Sequence, residues 1–293
     1  MLVLSWALPP STWAWLSLPR YVLLCAQWCS ALANPPPTAM QFDSATNWPQ
    51  CADVINHVRD QAGCGSCWAM ASTEAFNDRM CISHNYTTEL SAQDTASCCN
   101  LFGGCFGSQG CDGGQPAEAW NYFVKTGIVT GGDYNSGEGC FPYALPNCDH
   151  HEGGPYPNCQ EGGNTPACPN PKACSNSKYT TPWAQDLQHA KSSYGLNGAA
   201  AMQEDIMKYG SITVAFSVYS DFLTYKTGVY KHTTGSFLGG HAVKVQGWGT
   251  ENGQDYWLVL NSWNTYWGDK GFFKIARGVD ECGIEDQPVA GLV

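Results

Sequence analysis

The 293-residue chain has 13% charged residues and a formal net charge of −11, with only 14 Lys and Arg. That balance argues against a nucleic-acid binder, which needs cations to neutralise phosphates. The length allows one large or two medium domains with a substantial core, and 16 cysteines without paired CxxC zinc-ribbon units point to disulfides formed in an oxidising compartment.

Residues 1–33 contain one ionised side chain, Arg20. The apolar run 21–33 ends Ala31-Leu32-Ala33, which reads as the h-region and small-residue cleavage site of a signal peptide. That run is too short to cross a bilayer as a helix. The alternative, an anchor built from all of 1–33, is interrupted by Pro9, Pro10 and Pro19. A cleaved leader would carry off Cys25 and Cys29. Residues 34–41 read as a linker or residual pro-region, with Asn34-Pro35-Pro36-Pro37-Thr38 extended.

A glycine-rich turn, Gln61-Ala62-Gly63-Cys64-Gly65, runs into residues 67–80, which lack Pro and Gly and place Trp68, Ala71, Ala75 and Met80 near helical spacing. Ser66 is the expected N-cap, which sets Cys67 in the first turn. The positive end of the helix dipole and nearby N–H donors favour the thiolate there. A half-cystine is the plainer alternative. Asn85-Tyr86-Thr87 is an N-glycosylation sequon, used or unused. Residues 118–125 read as a helix ending near Gly127. Residues 131–180 are rich in Gly, Pro, Asn and Cys, and a structureless stretch that long is functional or stapled. Beyond Ala201, alternation and β-branched content predict strands at 212–216, 241–245, 256–260 and 271–275.

Cys64-Gly65-Ser66-Cys67-Trp68 is the local signature of papain-like enzymes, which also carry a His and an Asn downstream. Gly240-His241-Ala242 and Asn261-Ser262-Trp263 follow in that order. From about residue 40 onward the chain resembles the papain family, and within it the cathepsin B branch. The resemblance implies an α+β fold of two lobes with a cleft between them. About 42–180 would form the mainly helical lobe and about 181–293 a β-barrel-like lobe. In that family Cys67 would be the nucleophile, His241 its proton partner, Asn261 the group orienting the imidazole, and Trp263 the shield of that hydrogen bond. Gln61 and the Cys67 N–H would stabilise the oxyanion. His241 and Asn261 lie 174 and 194 residues after Cys67, beyond the usual spacing of about 130–150. An insertion at 140–174 accounts for most of the excess.

That insertion holds Cys148-Asp149-His150-His151 and Cys159, resembling the occluding loop of cathepsin B. The resemblance implies a lid over the primed end of the cleft, with His150 and His151 binding a substrate's C-terminal carboxylate. A metal pair or a solvated His-His is the alternative. An Asp60–His150 pair would pin the loop; the family's second pin, an Arg–Asp pair, falls on Tyr156 and Tyr266, so an aromatic contact is expected instead. The position at the base of the S2 pocket is Gln287, which predicts aromatic or aliphatic rather than Arg at P2. Gly113 and Gly114 would let a substrate backbone approach, with Gly240 beside His241, although a simple turn is the plainer reading of the glycine pair. The family's pairing implies disulfides 51–81, 64–111, 98–168, 99–105, 140–174 and 148–159, leaving Cys67 and Cys282 free. Family members are made with an inhibitory propeptide, for which the residues ahead of Asn34 leave no room.

The expected activity is a cysteine endopeptidase and peptidyl-dipeptidase in the secretory pathway, extracellular or lysosomal. It would need no cofactor or metal, act as a monomer on peptide and protein substrates, meet cystatin-type inhibitors, and bind neither nucleic acid nor membrane stably. A non-catalytic disulfide-rich binding protein and a peptide ligase or transamidase on the same scaffold are the competing readings.

Overall fold

A computed structural model describes residues 40–151, 153–160 and 162–293; the expected leader, Cys25, Cys29 and most of the linker lie outside the described residues. The order is β1 (Phe42–Asp43), α1 (Ser44–Asn47), α2 (Ala52–Ile55), α3 (Cys67–His84), α4 (Ala92–Cys98), α5 (Pro116–Lys125), α6 (Trp183–Asp186), β2 (Tyr194–Gly195), α7 (Gly198–Tyr209), β3 (Ile212–Tyr219), β4 (Val229–Tyr230), β5 (Phe237–Glu251), β6 (Gln254–Leu260), β7 (Phe272–Ala276) and β8 (Val289–Ala290).

Helix α3 is the spine. It has no internal Pro or Gly, and Asn85 closes it in the left-handed region, its N–H returning to Cys81 O at 2.7 Å. Apolar Trp68, Phe76 and Met80 are buried, and so are Glu74, Asn77, Asp78 and Arg79. Burial on every side means the helix runs through the molecule rather than along it. Two of its charged groups, Arg79 and Asp78, are paired with the β-rich half. Arg79 donates to Ser211 O at 2.8 Å and Gly291 O at 3.0 Å and pairs with Asp205, while Asp78 meets Lys244 at 2.9 Å. Buried charges demand such partners, and here they fasten α3 to α7 and β5.

The sheet runs β2-β8-β3-β5-β6-β7-β4, with β1 on β5. β4 joins β7 in parallel and the other pairs are antiparallel. This path ends in two-residue strands and does not close, so the expected barrel-like lobe is an open sheet. Gly247 is required where β1 crosses β5, because a Cβ there would lie 2.3 Å from Phe42 O. The four predicted strands are present, three of them longer than expected and the last shifted by one residue, but α7 is a helix that the strand pattern expected beyond Ala201 did not anticipate. Phe216, Phe222, Trp257, Trp267 and Phe273 build the core on the sheet, and Trp68, Phe76, Trp120 and Phe123 build the core around α3.

No helix or strand forms among the described residues from 126 to 182. Three cross-links staple that stretch: Cys98–Cys168, Cys140–Cys174 and Cys148–Cys159. With Cys51–Cys81, Cys64–Cys111 and Cys99–Cys105 the six expected pairs are all formed, and Cys67 and Cys282 are free.

Candidate active site

A groove of about 1120 Å³ has Cys67 and Gln61 on its α3 side and Gly240, His241 and Trp263 on its sheet side. Position follows from local structure. Cys67 opens α3, where its thiol accepts from the Ala242 N–H at 3.5 Å, the residue after His241 on β5. The Ser66 hydroxyl does not cap the helix as expected; it bonds to Tyr143 Oη at 2.8 Å, and Tyr143 in turn donates to Gln61 O at 2.8 Å. Tyr143, unseen in the sequence reading, therefore ties the two segments that carry Gln61 and Cys67.

His241 faces Phe216 across the β3–β5 ladder and is buried. Asn261, just beyond β6, accepts from His241 Nε2 at 2.7 Å and from Ser262 N–H at 2.8 Å through the same Oδ1. That leaves Nδ1 as the imidazole nitrogen for chemistry with the thiol. Trp263 stacks on the imidazole at 4.8 Å and 26°, covering the His241–Asn261 bond. Gln61 is fixed from both ends: Oε1 accepts from the Ser262 hydroxyl at 2.7 Å and Nε2 donates to Cys64 O at 2.9 Å. A carboxamide nitrogen has two hydrogens, so one remains for an oxyanion. Ser262, placed by its motif but given no role from sequence, sets which end of Gln61 is the donor.

Electrostatics oppose the simple helix-dipole expectation. Burial pushes the Cys67 thiol up, against the lowering effect of the Ala242, Trp68 and Cys67 N–H donors. Burial also pulls His241 down to about 4, opposed by its bond to Asn261 and reinforced by His150 and His151. Taken singly, each group is neutral. Charge can be separated only by passing one proton between them, with the N–H donors on one side and Asn261 on the other holding the two charges.

His150 and His151 line the same groove. His150 Nε2 meets Asp60 Oδ1 at 2.7 Å, and both side chains are nearly inaccessible. Asp60 also accepts from Ala62 N, Cys148 N and Asn264 Nδ2. Asn264, another residue missed from sequence, further donates to Cys148 O at 2.7 Å. His150 stacks on Trp263 at 5.9 Å, and His151 meets the same indole edge-on at 4.9 Å. Tyr156 and Tyr266 pack edge-to-face at 5.8 Å, the aromatic contact expected from the missing charges. His150 and Cys159 approach Cys148, but the two sulfurs are joined, so this trio offers no thiolate to a metal.

Gly113 has φ +101° and open space where a side chain would stand, whereas a Cβ on Gly114 would strike the Trp68 indole. Both glycines line the groove, Gly113 with open space beside it and Gly114 held close against the Trp68 indole. Gln287 is exposed and does not line the groove, so the structure does not bring it to the pocket base where the motif count put it. Ala215, Val218, Leu223 and Leu238 supply apolar lining instead.

A papain family cysteine protease profile matches residues 38–292. A cathepsin B-like cysteine proteinase of Schistosoma japonicum is 48% identical over 257 residues, 86% of this chain and 72% of the relative. Cathepsin B-like cysteine proteinase 4 of Caenorhabditis elegans is 47% identical over 256 residues, covering 86% and 74%. The solved structure of procathepsin B S9 from Trypanosoma congolense superposes with a TM-score of 0.73 at 36% identity, covering 86% of this chain and 77% of the other. With the thiol, imidazole, carboxamide and indole arranged as above, the chain belongs to the papain family of cysteine peptidases, among its cathepsin B-like members.

Proposed function

We propose that the enzyme cleaves peptides both internally and as a peptidyl-dipeptidase, with residues 140–174 acting as an occluding loop. Cys67 Sγ passes its proton to His241 Nδ1 and bonds to the scissile carbonyl carbon. Gln61 Nε2 and the Cys67 N–H receive the oxyanion. The imidazolium then gives its proton to the departing amine, leaving a thioester; water attacks it with His241 as base, releasing the acid and restoring the thiol. Asn261 keeps the ring oriented through both steps, and Trp263 keeps water from that bond.

Gly113 lets an extended substrate backbone approach the groove wall. His150 and His151 receive the substrate's C-terminal carboxylate by charge-assisted hydrogen bonds. The apolar lining at Ala215, Val218, Leu223 and Leu238 favours aliphatic or aromatic P2. Phe-Arg substrates should be cut faster than Arg-Arg ones. The enzyme works as a monomer in the secretory pathway, extracellular or lysosomal, open to cystatin-type inhibitors. No helix among the described residues is long and apolar enough to cross a membrane.

The observation carrying this reading is that His150, bonded to Asp60 beside Gln61, shares one groove with Cys67 and His241. An epoxide-type thiol inhibitor should label Cys67 at one mole per mole and abolish dipeptide release. Folded protein that resists labelling, or that releases single residues or no dipeptides from blocked-free peptide C-termini, refutes it.

A further inference from the structure

A second cavity of about 670 Å³ shares no lining residue with the groove. His57, just after α2, and Glu89, between α3 and α4, line it; Asp133, after α5, adjoins them. His57 Nδ1 is 3.1 Å from Glu89 Oε1 and Nε2 is 2.8 Å from Asp133 Oδ2. The ligand-capable atoms of the three lie within 4.8 Å of one another. Glu74 reaches the same cavity from α3; it is 4% exposed and its Oε1 has no hydrogen-bond partner. Asp53 and Glu138 complete an acidic lining in which Arg59 is the permanent cation.

We propose that this cavity binds a divalent transition metal, with His57, Glu89 and Asp133 as ligands and the Glu74 carboxyl buried behind them. The donor set decides the class of ion. An imidazole nitrogen disfavours calcium and magnesium, which take oxygen, and one nitrogen with two carboxylates suits zinc. Three protein ligands leave a position for water, so the site is not of the closed structural kind. A protonated His57 bridging two carboxylates would explain the trio without an ion. It would not explain why a buried carboxyl whose Oε1 has no hydrogen-bond partner is turned into the same acidic space. The three ligands come from three separate segments, so a bound ion would cross-link them and raise stability.

The test uses intact, tag-free protein with Cys67 capped by an epoxide inhibitor, so that the thiol and His241 cannot hold the ion. Zn²⁺ alone is titrated by calorimetry and by thermal unfolding. One saturable equivalent, with a thermal midpoint that rises with zinc and falls back with chelator, is the expected result. Glu74→Gln should weaken binding about tenfold, as loss of an outer-shell partner does. His57→Gln and Asp133→Asn should abolish it, and both side chains are more than a third exposed, so neither change threatens the fold. Uncapped forms of these variants should retain wild-type peptidase activity, since none of the three touches the groove. Absence of saturable binding, or binding that survives the His57→Gln/Asp133→Asn double change, overturns the proposal and leaves the trio as ion pairs.

Discussion

Replacing His150 by Ala tests how the loop is held. The change removes a 2.7 Å contact between two nearly inaccessible side chains. Orphaning a fully buried ion costs about 3–5 kcal/mol. Asp60, however, keeps its hydrogen bonds from Ala62 N, Cys148 N and Asn264 Nδ2, at 2.8, 3.1 and 3.1 Å. The loss is therefore nearer that of one charge-assisted hydrogen bond, about 2 kcal/mol. Spent on loop opening, that multiplies the open population about 30-fold, since 1.4 kcal/mol is a factor of about ten. The Cys148–Cys159 link still limits how far the loop departs. Dipeptide release from a short peptide and internal cleavage of one blocked at its C-terminus, assayed side by side from pH 5 to 7, give the ratio. It should shift toward internal cleavage by about tenfold or more. Asp60→Asn should shift it the same way and at least as far, since it also loses an acceptor for Ala62 N or for Cys148 N and Asn264 Nδ2, and the double variant should show less than the sum because the two changes share the His150–Asp60 bond. A His150→Ala enzyme with the wild-type ratio across that range would show that the loop is held by something else.

His151→Ala should move the acid limb of kcat/KM to higher pH. Burial first, and the nearby His150 and His151 charges after it, hold His241 near 4; removing a cationic neighbour lets His241 keep its proton to higher pH, and a site carrying both protons is inactive. Ser262→Ala frees Gln61 Oε1, allowing the carboxamide to flip, and should lower kcat by about tenfold with KM little changed, as loss of an oxyanion-hole donor does in milder form. Asp94 is raised to about 6, chiefly by burial and against the pull of Lys172. A raised carboxyl contributes stability fully below its unfolded value near 3.8, and that contribution is lost as pH rises through about 6. Thermal unfolding of Asp94→Asn should therefore show a flatter fall in stability between about pH 4 and 6 than wild type. Asn85 is exposed at the C-cap of α3, 18 residues and about 27 Å along the helix from Cys67. Secreted protein should lose mass on treatment with a peptide N-glycosidase, and Thr87→Val should abolish that loss without changing peptidase activity.

What could be read from the sequence was local. The turn before Cys67, the helix after it, and the β-branched strands at 212–216 and 256–260 declare themselves within a few residues. The sequence also put Cys67, His241 and Gln61 in order, and these meet in one groove. What failed depended on partners far along the chain. Helix α7 opens at Gly198 with φ +71°, and Asn197 makes no side-chain cap bond, so it lacks a start signal; the strong strand pattern from Ile212 overrode its Ala-rich interior. Alternation in β5 to β7 shows which faces are buried but says nothing about the two-residue strands at the sheet's ends, where closure would be decided.

Ser66 shows the limit most sharply. Its type and place mark an N-cap, yet its hydroxyl is used by Tyr143, 77 residues on. The Ser66 hydroxyl takes none of the first-turn N–H groups of α3, and the Trp68 and Cys67 N–H groups act to lower the Cys67 thiol against its burial. A side-chain cap would have accepted from the Trp68 or Ala69 N–H, and the Trp68 N–H is one of the donors that favour the thiolate. The departure from capping preference is thus where the helix terminus is given over to chemistry, and a sequence pattern alone cannot tell a cap from a donor kept open.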